Sequence, residues 1–548
     1  MRKFAHKNHS LKLEIHDHIV VGSGCTGAMA AQTLVEAGVK VAMIDVGVDD
    51  KKYSSIIPEK DFISIRRTEP DQHRYFIGDD AEGISWGKMK TGEHLTPPRR
   101  HLLKLVDKYL PVNSQTFFPM ESLCYGGLGS GWGLGCCEFS KSELETIGLN
   151  HDKMPGAYDL VSERIGISGV KDDASPYTLG ELTNYQQAPD MDRNHRLIYK
   201  KYSADRKRFN KDGFYLGRPA LALLTHDQGE RKKYAYRDMD FYSDKEQSAY
   251  RPWITVNLLK KNNNFSYFSD HLVTAFSEKS DYIEVHCMNT ISNTSVIFKC
   301  KKLILATGVL GSARIVLRSF NAENKKLPLL CNPYTYIPCI QPAMLGKEAE
   351  QNKMGFAQLS LFHDEQQNNF DVAMASIYSY QSLMLFRIIK EAPLNFVDAR
   401  IIMRYLMSGI VIMGIHHPEQ RNKLKFLELI KDNNTITGDK LQATYILGED
   451  EKEKINIRER KYTKAMRKLG AYAIKRINPG NGSSIHYAGT LPFSKSNDPY
   501  TLSPDGKLSG TKNVYVADGS GFNYLPAKGL TFTLMANAHL TAFNVLKK

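Results

Sequence analysis

The chain has 548 residues, of which 42% are apolar and 24% are charged. It is too long for a single hydrophobic core, so two domains or an interleaved pair are expected. Lys and Arg outnumber Asp and Glu by 73 to 59, giving a net charge of +14. This excess fits a lysine-biased solvated surface or an anionic partner, such as a phosphorylated molecule or a membrane surface, but no nucleic-acid motif accompanies it.

Cysteine usage and hydropathy limit the cellular setting. The eight cysteines show no C-x-x-C pair and no metal-ligand spacing, so we expect reduced thiols in a cytoplasmic protein without a metal site. Residues 1–14 have no apolar core and predict no signal or transit peptide. The least polar stretch, 405–415, is about half as long as a bilayer span. These features predict a soluble or peripheral protein.

The first motif lies near the start of the chain. An apolar strand, 18–21, runs into a G-x-G-x-x-G turn at Gly22, Gly24 and Gly27, and a helix follows. A second strand ends at Asp45, at the spacing of about twenty residues where an acid binds ribose hydroxyls. The glycines allow a tight turn, close approach of backbone N–H groups to a pyrophosphate, and close helix packing. The stretch predicts a site for FAD or NAD, because Asp45 would repel the 2′-phosphate of NADP.

A glycine-rich segment follows an irregular region. Residues 50–118 are rich in charge, proline and aromatic side chains, with a helix predicted at 101–110. Six of the ten residues at 126–135 are then glycine, with Trp132 among them. Such a segment forms no stable helix or strand, so we expect its backbone to lie flat against a ligand, with Trp132 packed on a planar ring. Residues 140–255 carry no informative motif.

The strand pattern returns after residue 260, and its last strand runs into the small-residue turn Ala306-Thr307-Gly308 and a helix. This strand, turn and helix are predicted to belong to the same nucleotide-binding domain as the first motif. That domain is therefore predicted to be discontinuous in sequence. The predicted strands are 271–276, 282–286 and 302–305.

Residues 325–475 are predicted to form a second domain with an antiparallel sheet, because their strands alternate apolar and polar residues. Two apolar helical stretches lie between them. They form either buried helices whose basic ends reach water or an interfacial patch that contacts a membrane or a lipid-linked substrate. The strand segments are 355–362, 370–377 and 441–446. The helical stretches are 382–389 and 396–407, with Arg387, Lys390, Arg400 and Arg404.

The C-terminal part contains a glycine- and serine-rich approach to one histidine, His486. It continues with an apolar strand at 514–516 that leads to Asp518, and then with an apolar helix at 530–545. With the earlier motifs, these segments resemble the glucose–methanol–choline (GMC) family of FAD-dependent alcohol oxidoreductases, particularly its bacterial branch related to choline dehydrogenase. The matching segments occur in the family's order over nearly the whole chain.

The resemblance implies an α/β fold, α+β overall. A discontinuous Rossmann-like FAD-binding domain with a parallel sheet would accompany a substrate domain of antiparallel sheet and helices, as in p-hydroxybenzoate hydroxylase. The FAD-binding domain would comprise 1–50, 119–145, 260–322 and 478–548. A connecting segment, 51–118, would cover FAD, and the substrate domain would comprise 150–255 and 323–477.

The resemblance also implies individual roles toward FAD. Asp45, where the family more often has Glu, would bind the adenosine ribose, Val273 would contact the adenine, and Asp518 would contact the ribityl or pyrophosphate part. The positive N-terminus of the last helix would face the flavin pyrimidine edge and favour hydride acceptance. The full set of implied cofactor contacts is Gly22, Gly24, Cys25, Thr26, Gly27, Asp45, Gly126, Gly127, Ser130, Trp132, Gly133, Val273, Ala306, Thr307, Gly308, Asp518, Gly519, Gly529, Leu530 and Thr531.

The implied general base is His486, whose neutral imidazole would accept the hydroxyl proton as hydride passes to flavin N5. The position where the family has a second catalytic His or Asn is Gly529, which has no side chain to donate a hydrogen bond. Either His486 acts alone, or Lys528 or Asn523 substitutes, or the site is catalytically impaired. A lysine at this place would also raise the flavin potential and hold an anionic substrate.

The predicted reaction is oxidation of an alcohol to a carbonyl, with a hydroxyl of a sugar, glycoside or polyol as the first choice of substrate. The positive charge would fit a phosphorylated sugar, and the apolar basic helices would fit a lipid carrier. The electron acceptor, O₂ or another, is left open. The alternatives are an FAD-dependent reductase or desaturase acting on C–C or C=C bonds, without a second G-x-G-x-x-G segment for a nicotinamide, and a flavin-binding scaffold with impaired catalysis.

Overall fold

The structure is a computed structural model. It describes residues 15–49, 97–235, 246–347, 354–379 and 395–547, together with part of 52–81 and the single residues 95 and 244. The predicted helix at 382–389, with Arg387 and Lys390, lies outside the described residues, as do residues 1–14. All eight cysteines are free thiols. In the described part of the chain, no helix is both long and apolar enough to cross a membrane.

A seven-stranded sheet forms the larger half of the molecule. Five of its strands are parallel, and an antiparallel hairpin extends from the first half of one of them. The parallel strands are, in spatial order, Phe265–Phe268, Val41–Ile44, Ile15–Val21, Ser295–Leu305 and Val514–Val516. The hairpin strands are His271–Glu278 and Ile283–Asn289.

The turn after the first strand depends on two glycines. Gly22 has φ +96°, and a Cβ there would lie 2.7 Å from the Ala306 carbonyl oxygen. A Cβ at Gly27 would lie 1.9 Å from the Gly22 carbonyl oxygen, so only glycine lets the helix start this close to the strand. The helix that follows, Cys25–Glu36, packs against the last helix, Leu530–Lys547, which places the two ends of the described chain side by side.

A six-stranded antiparallel sheet forms the other half. One of its faces packs on the helices Arg193–Ala204 and Glu449–Lys468 in a separate apolar cluster. Its alternate residues point the other way, as the two-residue period of a strand requires. The strands are, in spatial order, Tyr472–Ala473, Tyr334–Ile340, Ile410–His416, Ala373–Ser379, Leu359–His363 and Phe214–Gly217.

Two elements differ from the sequence-based expectation. The strand predicted at 441–446 is present as Asp439–Tyr445, but it pairs with Lys425–Lys431 in a separate four-stranded sheet. Alternation of apolar and polar residues predicts a strand but not the strand that pairs with it. The prediction of a single sheet was therefore wrong for this segment. The helix predicted at 101–110 is broken at Leu105, whose φ of +68° separates a 3₁₀ turn from a single α-helical turn.

The remaining elements are short or peripheral. The predicted helix at 396–407 is present as Phe396–Leu406. The other α-helices are His73–Phe76, Val106–Tyr109, Lys141–Ile147, Met154–Ile165, Arg206–Lys211, Pro252–Leu259 and Val309–Ser319. The 3₁₀ segments are Pro97–Leu103, Gly127–Gly131, Ser175–Tyr177, Pro342–Met344, Met407–Gly409 and Gly519–Gly521. The other strands are Val112–Asn113, Gly135–Cys136, Ser168–Gly169, Gln186–Gln187, Ala220–Leu221, Leu327–Pro328, Leu330–Cys331, Glu419–Gln420, Tyr487–Ala488 and Tyr524–Leu525.

Candidate active site

A cavity of about 1120 Å³ lies between the two large sheets. This volume exceeds the range of about 300–1,000 Å³ that is common for ligand sites, so the cavity can hold a large cofactor together with a substrate. One end is formed where the parallel strands of the seven-stranded sheet finish, which is where open α/β sheets bind their ligands. The outward-facing side chains of the six-stranded sheet form the opposite wall.

The structure brings most of the predicted cofactor-contacting residues to this cavity. The exceptions are Gly27, Gly126 and Ser130, which lie behind its wall. Gly27 packs on Gly22, the Gly126 N–H donates to Ser23 Oγ at 2.8 Å, and Ser130 Oγ donates to the Tyr125 carbonyl at 2.7 Å. The predicted residues that line the cavity are Gly22, Gly24, Cys25, Thr26, Asp45, Gly127, Trp132, Gly133, Val273, Ala306, Thr307, Gly308, Asp518, Gly519, Gly529, Leu530 and Thr531.

Asp45 is held at the end of the second strand by two hydroxyl groups. Its Oδ2 accepts a hydrogen bond from Tyr267 at 3.0 Å and another from Ser23. Burial raises the pKa of Asp45 to about 6, although both hydroxyl donors act to lower it. Ser23 also accepts the hydrogen bond from Gly126, so this carboxylate is tied to the glycine-rich loop.

Asp518 has a more structural position than the resemblance implies. Its Oδ2 accepts from Ser312 at 2.6 Å, and its Oδ1 accepts from the Ser520 backbone at 3.0 Å and the Ser520 hydroxyl at 2.6 Å. Both oxygens therefore already have donors within the protein. Asp518 fixes the strand end and the adjoining turn at the cavity wall.

Three helices begin at the cavity, and this arrangement fits FAD. They are Cys25–Glu36, Val309–Ser319 and Leu530–Lys547, whose first residues line it. No side chain caps the N-terminus of Cys25–Glu36, so its first-turn N–H groups can bind an anion, whereas the Gly308 N–H at the start of Val309–Ser319 already faces the Asp518 carboxylate. A pyrophosphate and a flavin that gains negative charge are both suited to the positive ends of helices. The residues present therefore fit FAD.

His486 lies in the same cavity, half-buried, with its orientation fixed by Asn332. Its Nδ1 is 3.0 Å from Asn332 Oδ1. The Asn332 Nδ2 faces three backbone carbonyls, at 2.8 Å from His417 and 3.2 Å from Leu525 and Pro526. Because this nitrogen must be the donor, the Asn332 oxygen faces His486, whose Nδ1 then carries the hydrogen. Its Nε2 keeps the lone pair, and burial lowers the pKa of His486 to about 4, so the imidazole is neutral near pH 7.

A second imidazole, that of His416, stacks on His486. The ring centroids are 4.9 Å apart and the planes are 20° from parallel. His416 ends the strand Ile410–His416 and lines the cavity, and Tyr334 contacts its ring at a centroid distance of 4.5 Å. Sequence reasoning missed both His416 and Asn332. The apolar run that ends at His416 was a usable signal for a strand end, whereas nothing local marks Asn332.

The two predicted substitutes for the side chain missing at Gly529 do not reach His486. The Lys528 side chain is fully buried away from the cavity, where Nζ lies 2.7 Å from Glu143 Oε2 and 2.6 Å from Asn369 Oδ1. Asn523 donates to the Phe493 carbonyl at 3.0 Å and does not line the cavity. Both side chains are used in packing the loops behind the site. In this structure neither side chain is therefore placed to assist His486.

Gly529 itself lines the cavity, and its neighbours leave no room for a side chain. A Cβ there would lie 2.7 Å from the Gly135 carbonyl oxygen and 3.5 Å from Cys137 Sγ. The glycine-rich loop and the start of the last helix approach each other at this point. Gly529 therefore contributes its backbone to the site.

Comparisons with known proteins agree with this geometry. Residues 425–538 match the model of the GMC oxidoreductase family for its C-terminal part. The fold is similar to that of pyridoxine 4-oxidase from Mesorbium loti, with a TM-score of 0.56 and 12% sequence identity over 97% of this chain and 99% of that one. Comparison with curated protein sequences finds no significant match. The chain is thus similar to GMC oxidoreductases in its C-terminal part, and its fold over nearly the whole length is similar to that of pyridoxine 4-oxidase.

Proposed function

We propose that this protein oxidises an alcohol to a carbonyl compound with FAD as the hydride acceptor and His486 as the general base. The observation that carries the proposal is the fixed tautomer of His486. Its neutral Nε2 belongs to the same cavity as the dinucleotide-binding turn, while Nδ1 is engaged by Asn332. A neutral imidazole with one oriented lone pair is suited to remove a hydroxyl proton.

In this proposal, different residues of the chain bind the cofactor, accept the proton and stabilise the developing charge. The turn after the first strand, Asp45 and the three helix N-termini would hold FAD, which when bound supplies the acceptor for the substrate hydride. His486 takes the hydroxyl proton at Nε2, and Asn332 keeps the ring in the required tautomer. The N-terminus of Leu530–Lys547 stabilises the negative charge that hydride transfer brings to this end of the cavity.

The cavity wall opposite the dinucleotide-binding turn favours a polar substrate with a flat face. It presents the aromatic rings of Tyr334, Tyr336 and Tyr378 and the hydroxyl of Ser376. Such walls suit the hydroxyls and C–H faces of a sugar, glycoside or polyol, which is our first choice. An exposed lysine at the rim, Lys475, would add affinity for a phosphate group. The similar structure is that of an enzyme named for pyridoxine, so a planar aromatic alcohol is the second class to test.

An anaerobic absorbance experiment tests the proposal. Purified holoprotein is mixed with alcohols, sugars, sugar phosphates and pyridoxine, and the oxidised flavin band near 450 nm is followed. We expect one class to bleach the band in the wild type and not in His486→Ala. His363→Phe serves as the control, because His363 is buried against Phe214 outside the cavity and should behave as the wild type. Readmission of air then separates an oxidase from a dehydrogenase.

Other outcomes of the same experiment identify the rival functions. Rapid bleaching by NADH or NADPH, with no response to alcohols, would favour a reductase or desaturase acting on C–C or C=C bonds. A bound flavin that neither alcohols nor reduced nicotinamides bleach would favour the scaffold with impaired catalysis. Protein that retains no flavin after reconstitution with FAD would contradict the proposal at its first step.

We also propose peripheral membrane contact through the helix Phe396–Leu406. Its residues Val397, Ile401 and Tyr405 are 62%, 60% and 57% exposed and lie four residues apart, so they form one apolar stripe. Liposome flotation tests this contact with anionic and zwitterionic vesicles. The double variant Val397→Ser/Ile401→Ser should lose binding, whereas Ile291→Ser, which removes an apolar side chain that is 75% exposed on another surface, should retain it. Wild-type protein that floats with neither vesicle would contradict the contact.

A further inference from the structure

The cavity contains a second imidazole, that of His416, which has no role in the reaction as proposed above. His416 is the last residue of a central strand in the six-stranded sheet, between Tyr334 and Met374 on the adjacent strands. All three line the cavity. The other histidines at this wall turn away: His417 faces Glu459, with Nε2 3.4 Å from its Oε1, and His363 packs on Phe214.

The ring of His416 is fixed by its neighbours while its nitrogens are left available. It lies against His486 on one side, with centroids 4.9 Å apart, and against Tyr334, with centroids 4.5 Å apart. Neither nitrogen has a hydrogen-bond partner among the residues that the structure describes. A neutral imidazole always carries one N–H donor, so an oxygen that enters the cavity beside His486 finds a donor on a ring whose position is fixed.

We propose that His416 is the second catalytic group of this enzyme, whose N–H donates a hydrogen bond to the substrate oxygen while His486 removes the proton from that oxygen. The proposal rests on the alcohol oxidation proposed above. It places the second group on a strand of the substrate-facing sheet, because Gly529 has no side chain and Lys528 and Asn523 point elsewhere.

The step balances without change to His416. The substrate O–H bond breaks and its proton moves to His486 Nε2. The carbinol C–H bond breaks with its electron pair, which leaves as hydride to the bound flavin, and the carbon–oxygen π bond forms. His416 neither gains nor loses a proton, but its hydrogen bond strengthens as negative charge grows on the oxygen.

Electrostatics keep His416 in the form that this role needs. Burial lowers the pKa of His416 well below its usual value, and the neighbouring His486 and His417 lower it further. Once His486 holds the substrate proton, the close approach of the two rings disfavours a second positive charge. The pair therefore holds one extra proton at most, on His486, and His416 remains a neutral donor.

The first test measures binding without turnover. Holoprotein labelled with ¹⁵N-histidine is titrated with trifluoroethanol, an alcohol whose electron-poor carbon resists hydride loss. We expect the imidazole signals of His416 and His486 to move with one common Kd while that of His363 stays in place. His416→Phe, which keeps a flat ring but removes the donor, should weaken this Kd by about tenfold, as the loss of one hydrogen bond implies. His416→Gln keeps a neutral donor and should stay close to the wild type.

The second test follows the reaction. With the alcohol found above, the first-order rate of flavin reduction at saturating substrate should fall about 10²–10³-fold in His416→Phe, as when one oxyanion donor is removed. FAD content and the thermal midpoint should match those of the wild type. His416→Gln should recover most of the rate, and the matched control His363→Phe should lose none of it.

The outcomes separate this proposal from the function on which it rests. Trifluoroethanol that moves the signal of His486 and not that of His416, or His416→Phe with the wild-type reduction rate, would overturn the role of His416. Joint movement of both signals in a protein whose flavin no alcohol reduces would instead overturn the alcohol oxidation and leave the paired oxygen site standing. A titration that moves neither signal would contradict the site itself.

Discussion

The amide of Asn332 decides which nitrogen of His486 can act as a base. Its nitrogen is surrounded by three carbonyl groups, so its oxygen faces the imidazole and fixes the hydrogen on Nδ1. The residue is 1% exposed, so its loss would leave buried polar groups without their partner. In the proposed reaction, Asn332 therefore acts through His486, as a positioning residue.

In Asn332→Ala, the tautomer of His486 should no longer be fixed. We expect flavin reduction at saturating substrate to slow about 10–100-fold, the range typical when a partner that orients an imidazole is lost. The ¹⁵N shifts of His486 should show a mixture of tautomers, a change that a purely structural loss would not produce. Asn194→Ala is the control, because Asn194 is equally buried but bonds the Ser408 carbonyl at 2.6 Å, remote from His486. An unchanged tautomer in Asn332→Ala would contradict the assignment.

The pH dependence of the reaction follows from the burial of His486. Burial lowers its pKa to about 4, so the neutral, proton-accepting form persists well below pH 6.5. The rate of flavin reduction at saturating substrate and FAD should therefore stay level from pH 8 to about pH 5 and fall tenfold per pH unit below about pH 4. Stopped-flow reduction across this range is the measurement. An inflection between pH 6 and 7 would show that His486 keeps an ordinary pKa in the loaded enzyme.

At the scale of elements, the close contact between the glycine-rich loop and the last helix sets the floor of the cavity. Gly529→Ala would place a methyl group 2.7 Å from the Gly135 carbonyl oxygen, and the backbone must move. We expect loss of bound FAD and a decrease in unfolding free energy of about 1–3 kcal/mol. Gly156→Ala is the matched control, because a Cβ at that exposed position of the helix Met154–Ile165 meets nothing within 4 Å and should be neutral or stabilising. Urea unfolding and flavin content measure both effects.

The elements themselves were the most predictable part of the structure. The dinucleotide-binding turn could be found because strand, glycines and helix are adjacent in sequence and each glycine has a local steric reason. The strand at 439–445 was also found, but its sheet was not, because the two-residue period is the same whichever strand lies beside it. Strand pairing depends on segments that are distant in sequence, and a local pattern does not identify them.

The same limit applies to the site. His486 was identified from its neighbours in sequence, whereas Asn332 and His416 reach it from positions 154 and 70 residues away in the chain. Lys528 shows the converse, because it adjoins Gly529 in sequence but buries its ammonium group with Glu143 on the far side of the loop. Proximity along the chain was a poor guide to which side chains share the cavity.

At the scale of the whole molecule, the proposed FAD site joins segments from both ends of the described chain, so FAD should stabilise the entire fold. FAD at 100 times its Kd should add about 2.7 kcal/mol to the unfolding free energy of the apoprotein. Asp45→Ala should reduce that gain, because the acid at the end of the second strand is lost from the cavity. Thermal midpoints with and without added FAD measure this, with Asp17→Ala, an exposed acid on the adjoining strand, as the control. Equal shifts in the Asp45 variant and the wild type would exclude a role for Asp45 in binding.

The order of strands in the seven-stranded sheet also has a consequence for biosynthesis. The strand Ile15–Val21 and the strand Val514–Val516 flank the same partner, Ser295–Leu305, and the last helix packs on the first. At translation speeds of about 5–20 residues per second, roughly half a minute or more separates the emergence of these pieces from the ribosome. During that interval the nascent chain exposes an apolar helix face and an unpaired strand edge. The sheet can therefore be completed only after the last strand has emerged, and a cofactor that binds where its parallel strands end would meet a finished site only then.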